Sequence, residues 1–245
     1  MLRPVARYGN PAGVVGGHQD LLTGTHHSPP DVGHFITPTG LPAWCARWWP
    51  GLGRSDEQLR KVHTVGSPQT LSEADRRLVA AWAADCAERV LGLFEAEAPA
   101  DERPRAAIAR TRAFARGELK TAEEIRRRFV GGVAAGEVKA PAAAAAARSA
   151  GQAVAICHMG AHALGAAAYA VKATALAAPD RPEAVKDEIR WQLSHMSIEV
   201  RAALRALPPV GENRSGPLGP GLLASGELGT IIRDLQAGLV LPDPD

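Results

Sequence analysis

From Ala140 to Ala178 the chain is nearly all small or apolar, and no charged residue stands between Arg148 and Lys172. Alanine has the best helix propensity because it freezes no side-chain rotamer when the helix forms. The stretch is therefore helical, and a helix without a polar face must be enclosed by other elements. It is long enough to cross a bilayer, for which about 20 apolar residues suffice. Yet it is mostly Ala and Gly, with Gln152, His158 and His162 in its middle, so its transfer into lipid is poor. The residues describe a buried central helix, in one piece or in two joined near Gly151. Its neighbours must approach closely, because its own side chains are short.

The polar residues of this helix recur by three or four. His158, His162, Gly165, Tyr169 and Lys172 are expected to share one face. A His pair at i, i+4 on a helix can chelate one metal ion, but no third ligand is fixed by sequence, so no metal is assigned. The preferred reading is a structural polar network, because a buried unpaired polar group costs about 1–3 kcal/mol. Asp85, Arg105, Glu124 and Tyr169 are the expected partners of the two histidines. Lys172 in a cleft could act as a nucleophile. Near a helix end it is more simply a solvated cation that complements the dipole, and that reading is preferred.

Shorter helical patterns flank the central one. Ser72 and Asp75 form a capping-box-like start, followed by Leu78 or Val79, Trp82, Cys86, Val90 and Leu93 at helical spacing to about Glu97, before Pro99. Asp101 is expected to cap a second helix, with Pro104 in its first turn and Gly117 beyond its end. Arg103, Arg105, Arg110, Arg112 and Arg116 make this helix strongly basic. Thr121 and Glu124 read as another capping box, opening a third helix with Ile125, Phe129 and Val133 as its buried stripe. Gly131 and Gly132 suggest close approach or a local break. A fifth helix is expected from Asp180–Glu183 to Leu207, its stripe Val185, Ile189, Leu193, Met196, Val200, Leu204 and Leu207. It stops at Pro208 and Pro209.

The two ends read differently. Residues 1–70 carry repeated Gly and Pro and no apolar period, the pattern of a mostly disordered extension. Their apolar spot is Trp44, Cys45, Trp48 and Trp49, and His18, His26, His27 and His34 have no scaffold to make them a metal site. Residues 209–245 read as a linker, a short amphipathic helix (Leu228, Ile231, Ile232, Leu235) and an acidic tail. The domain expected is thus all-α, a single bundle of five to six helices over residues 71–208.

Composition narrows the function classes. The 28 Lys and Arg against 26 Asp and Glu argue against a nucleic-acid partner. Three cysteines at unrelated spacings make neither a zinc pattern nor a disulfide framework, which suits a reducing cytoplasm. No signal peptide is expected. The chain contains no phosphate loop, nucleophile elbow, C-x-x-C or H-E-x-x-H, so neither a cofactor nor a catalytic residue is assigned.

Several ordered pieces together resemble a known family. They are Trp82, Asp85, Cys86, Arg89 and Phe94; Asp101, Arg103, Pro104 and Arg105; His158, His162, Gly165, Ala166, Tyr169 and Lys172; and Glu188, Ile189 and Trp191. Over about Leu71–Pro209 the chain resembles immunity proteins of bacterial polymorphic toxin systems, in the immunity-five-like group. The resemblance implies a non-catalytic cytoplasmic protein that binds and neutralises a cognate protein toxin in the producing cell. Its surface could be the Arg-rich second helix or the charged outer face of the fifth. Asp85, Arg103, Arg105, His158, His162, Tyr169 and Lys172 are the binding or polar-network candidates. The alternative is a helical small-molecule- or metal-binding domain, or an enzyme, centred on His158 and His162.

Overall fold

The computed structural model describes residues 67–127 and 134–240. These form eight α-helices and two short 3-10 turns, with no strand among the described residues. The helices are α1 (Glu73–Glu95), α2 (Arg103–Ala115), α3 (Thr121–Arg127), α4 (Pro141–Ala155), α5 (His162–Ala177), α6 (Ala184–Ser194), α7 (Ile198–Arg205) and α8 (Gly226–Val240). The all-α expectation holds. The expectations for residues 1–66, for Phe129, Gly131, Gly132 and Val133, and for the acidic tail fall outside the described residues.

The core is built on alanine. Ala163, Ala166, Ala167, Ala168, Ala170 and Ala173 of α5 are fully buried, and Ala147, Ala150 and Ala153 of α4 also have no exposed surface. α4 and α5 pack on each other most extensively, and α1 lies across both. Trp82, Phe94, Ile108 and Phe114 supply the bulk that the alanines lack.

Local capping signals set several boundaries as the sequence suggested. Ser72 Oγ accepts from the Asp75 amide at 3.0 Å and donates to its carboxylate at 2.7 Å, satisfying orphan donors of the first turn. Asp101 stands one residue before the N-cap of α2, Glu102, and its Oδ1 accepts from the Arg103 amide at 3.1 Å. Gly117 takes a positive φ of 80°. There the Glu118 amide bonds to Ala113 and the Gly117 amide to Phe114, the pairing that closes a helix on a left-handed residue.

Four expectations are corrected. The central helix breaks at residues 156–161, not near Gly151. The amides of Gly160 and Ala161 turn away from the helix to the carbonyls of Thr70 and Gln69, both at 3.0 Å. A Cβ on Gly160 would stand 2.5 Å from Leu71 Cδ1, so only glycine lets that segment approach. Leu71 itself is held at φ 59°, a backbone region unusual for a residue of its shape.

The long fifth helix is really α6 and α7, because Ser197 starts a new helix by accepting from the Val200 amide at 3.2 Å. Its deepest positions in α6 are Ala184, Glu188 and Gln192, whereas Val185, Ile189 and Leu193 are only partly buried. The period was readable, but the phase lies one residue earlier.

The N-cap of α4 is Ala140, which has no side chain able to cap it. Glu97, two residues beyond α1, accepts from the Lys139 and Ala140 amides that lead into α4, at 2.6 and 3.0 Å. A carboxylate there also complements the helix dipole. Glu97→Ala is expected to cost about 0.5–1.5 kcal/mol, the usual net range for an intramolecular hydrogen bond. An unchanged thermal midpoint in that variant would show that water replaces the carboxylate without loss.

Residues 208–225, expected as a linker, pack onto the bundle. Leu218 is fully buried, and Val210 and Leu223 nearly so. Gln69, fully buried, donates to the Ser215 carbonyl at 2.6 Å and accepts from the Leu218 amide at 2.9 Å. Arg201 and Arg205 donate to the Gly238 and Leu239 carbonyls at 3.0 and 2.6 Å, serving orphan acceptors at the end of α8.

Candidate functional site

The candidate residues do not converge on one site. They divide between the α1–α2 side and the α4–α5 side, and each group is held by short-range partners.

On the α1–α2 side the arginines of the basic helix meet carboxylates one by one. Arg112 bonds to Asp85 at 2.7 Å and also to Glu88. Arg103 grips Asp101 at 2.8 and 2.6 Å and reaches Glu137. Arg105 meets Glu95 at 2.8 Å, and Arg116 meets Glu118 at 2.6 Å. The hydrogen-bonded carboxylates raise the Arg103, Arg112 and Arg116 guanidinium groups above their ordinary value. These pairs are largely exposed, and such pairs are worth about 0–1 kcal/mol each. Their consequence is electrostatic: the positive charge of α2 is offset by the chain's own acids.

Arg110 differs from its neighbours. It holds Glu124, which is 2% exposed, with the Nε bond at 3.1 Å. Glu124 is therefore a buried ion-pair acceptor rather than the reciprocal arm of a capping box. The pair joins α2 to α3.

On the α4–α5 side the polar stripe is shorter than its spacing suggests. His158 lies in the turn between the two helices, its amide bonded to the Ala155 carbonyl at 3.0 Å, while His162 opens α5. The two histidines thus are not an i, i+4 pair on one helix. Among the described residues no group of three or more His, Cys, Asp or Glu is placed to hold a metal ion.

His162 Nδ1 and Gln152 Oε1 lie 2.8 Å apart, with the ring N–H assigned to Nδ1 so that the amide oxygen accepts. Gly165 makes room for this bond. A Cβ there would stand 2.5 Å from Gln152 Oε1 and 2.9 Å from Leu223. Gly165→Val is expected to displace both groups and to cost about 1–3 kcal/mol by overpacking. A urea midpoint equal to that of the parent protein would contradict this contact.

Further along α5, Tyr169 is 4% exposed, and burial pushes its phenol above the ordinary value. Lys172 is ion-paired to Glu227 of α8 at 3.0 Å, with both side chains partly open to solvent. Lys172 thus bridges α5 to α8 and does not stand in the last turn of α5, which holds no basic residue. Cys86 is fully buried, and burial pushes its thiol well up, which makes it a small core residue rather than a reactive one.

The main polar cluster that the sequence did not announce joins α1 to α6. Glu188, 4% exposed, accepts from Arg89 Nε at 3.1 Å and Nη2 at 3.0 Å. Gln192, fully buried, donates to Glu188 at 3.1 Å and to the Ala167 carbonyl at 3.2 Å. Trp82 Nε1 donates to the Gln192 carbonyl at 2.9 Å. Arg89 lies over the Trp191 ring, 3.7 Å from its centroid, and His195 stacks on Trp191 at 4.0 Å. The signal available in the sequence is the i, i+4, i+8 spacing of Ala184, Glu188 and Gln192, which an apolar stripe does not reveal because two of the three are polar.

Neither the curated proteins nor the solved structures contain a match to this chain. Residues 69–199 match the family described as Imm-5 like putative immunity protein. The matched span includes every candidate residue named above, together with Arg89, Glu188 and Trp191, and it exceeds half of the 245 residues. The chain therefore belongs to the Imm-5 like putative immunity protein family.

Proposed function

We propose that this protein is an immunity protein that binds a cognate protein toxin in the bacterial cell producing it, and neutralises that toxin without catalysing a reaction. The observation that carries the reading is the family match over residues 69–199. The structure is compatible with a binding role. The candidate side chains Asp85, Arg103, Arg105, His162 and Lys172 are engaged with Arg112, Asp101 and Glu137, Glu95, Gln152 and Glu227. A rigid, internally bonded surface is what tight recognition needs, because little is lost in ordering it on binding.

The site of action proposed is the cytoplasm, and among the described residues no helix is long and apolar enough to cross a membrane. Charge steering by complementary surfaces speeds association of such pairs, but α2 offers less of it than its arginines suggest, because each has an acidic partner. For the small-molecule or metal-binding alternative, centred on His158 and His162, the support is weaker, since His158 lies between the helices and His162 opens α5.

Co-expression with the product of the adjacent gene tests the proposal. The expected result is rescue of growth from a toxic neighbour, and a one-to-one complex that co-elutes on a sizing column. Absence of toxicity from every neighbour, together with no complex, would overturn it.

A further inference from the structure

We draw no further inference here: the strongest candidate, the surface cluster at the α6–α7 corner in which Arg89 and His195 stack on Trp191 near the exposed Ile198, carries nothing because Glu188 already matches its cation and nothing in the structure shows what covers it.

Discussion

Ending the chain after Leu207 is expected to abolish the cooperative fold, although the removed part lies wholly beyond the family-matched span. The truncation discards Leu218, Leu223, Leu228, Ile231, Ile232, Leu235 and Leu239, all at most 5% exposed. Each such side chain contributes about 1.5–3 kcal/mol when taken fully out of water. Lost together, these contributions are as large as or larger than the roughly 5–15 kcal/mol by which whole domains are stable. Polar groups would be stranded as well. Gln69 would lose both of its side-chain partners, Ser215 and Leu218, and Lys172 would lose Glu227. The measurement is thermal unfolding followed by near-ultraviolet circular dichroism, beside the full chain. A sharp transition within a few degrees of the parent would show that α8 is an appendage rather than part of the core.

The second large effect concerns the α1–α6 ion pair. Arg89→Met is expected to destabilise the protein by about 3–5 kcal/mol, because it leaves a buried carboxylate without its countercharge. Glu188 would retain only the Gln192 amide, a neutral donor. The double variant Arg89→Met, Glu188→Leu is expected to recover much of the loss, since replacing both partners by apolar groups is often neutral or better. Denaturant unfolding of the four proteins in this cycle isolates the pair from the change in shape. If the single Arg89 variant falls within about 0.5 kcal/mol of the parent, as ordinary surface changes do, Glu188 is not held as described.

The contrast between these two regions and the rest shows what a sequence can convey. The cap at Ser72, the Asp101–Arg103 bond and the stop at Gly117 are local: the donor, the acceptor and the needed backbone freedom lie within a few residues. All three could be read from their residue types. The helix break at 156–161 could not, because the groups that draw its amides away belong to Gln69 and Thr70. Glu97, distant in sequence from the Lys139 and Ala140 amides that it meets just before α4, was hidden for the same reason.

The phase of α6 failed differently. Hydrophobic patterning assumes that carboxylates and amides face water, and Glu188 and Gln192 face inward because Arg89, Trp82 and Ala167 meet them there. The candidate site was affected in the same way. His162 finds Gln152 on the antiparallel neighbour across the turn, a pairing that appears only once the single helix is seen to be two. Lys172 is held in the same way by a residue distant in sequence, Glu227 of α8, and it stands before the last turn of α5.

The contact of alanine on alanine between α4 and α5 also sets which mutations this protein can survive. A core of large side chains is damaged mainly by truncation, which opens cavities. Here most positions have almost nothing to truncate, and harm comes from enlargement. Replacing Ala166, Ala167 or Ala170 with valine adds volume where no surface is open, and overpacking of this kind costs about 1–3 kcal/mol. A single transition at the second codon base turns alanine into valine. This ordinary genetic change therefore strikes the helix pair where it has the least room to yield.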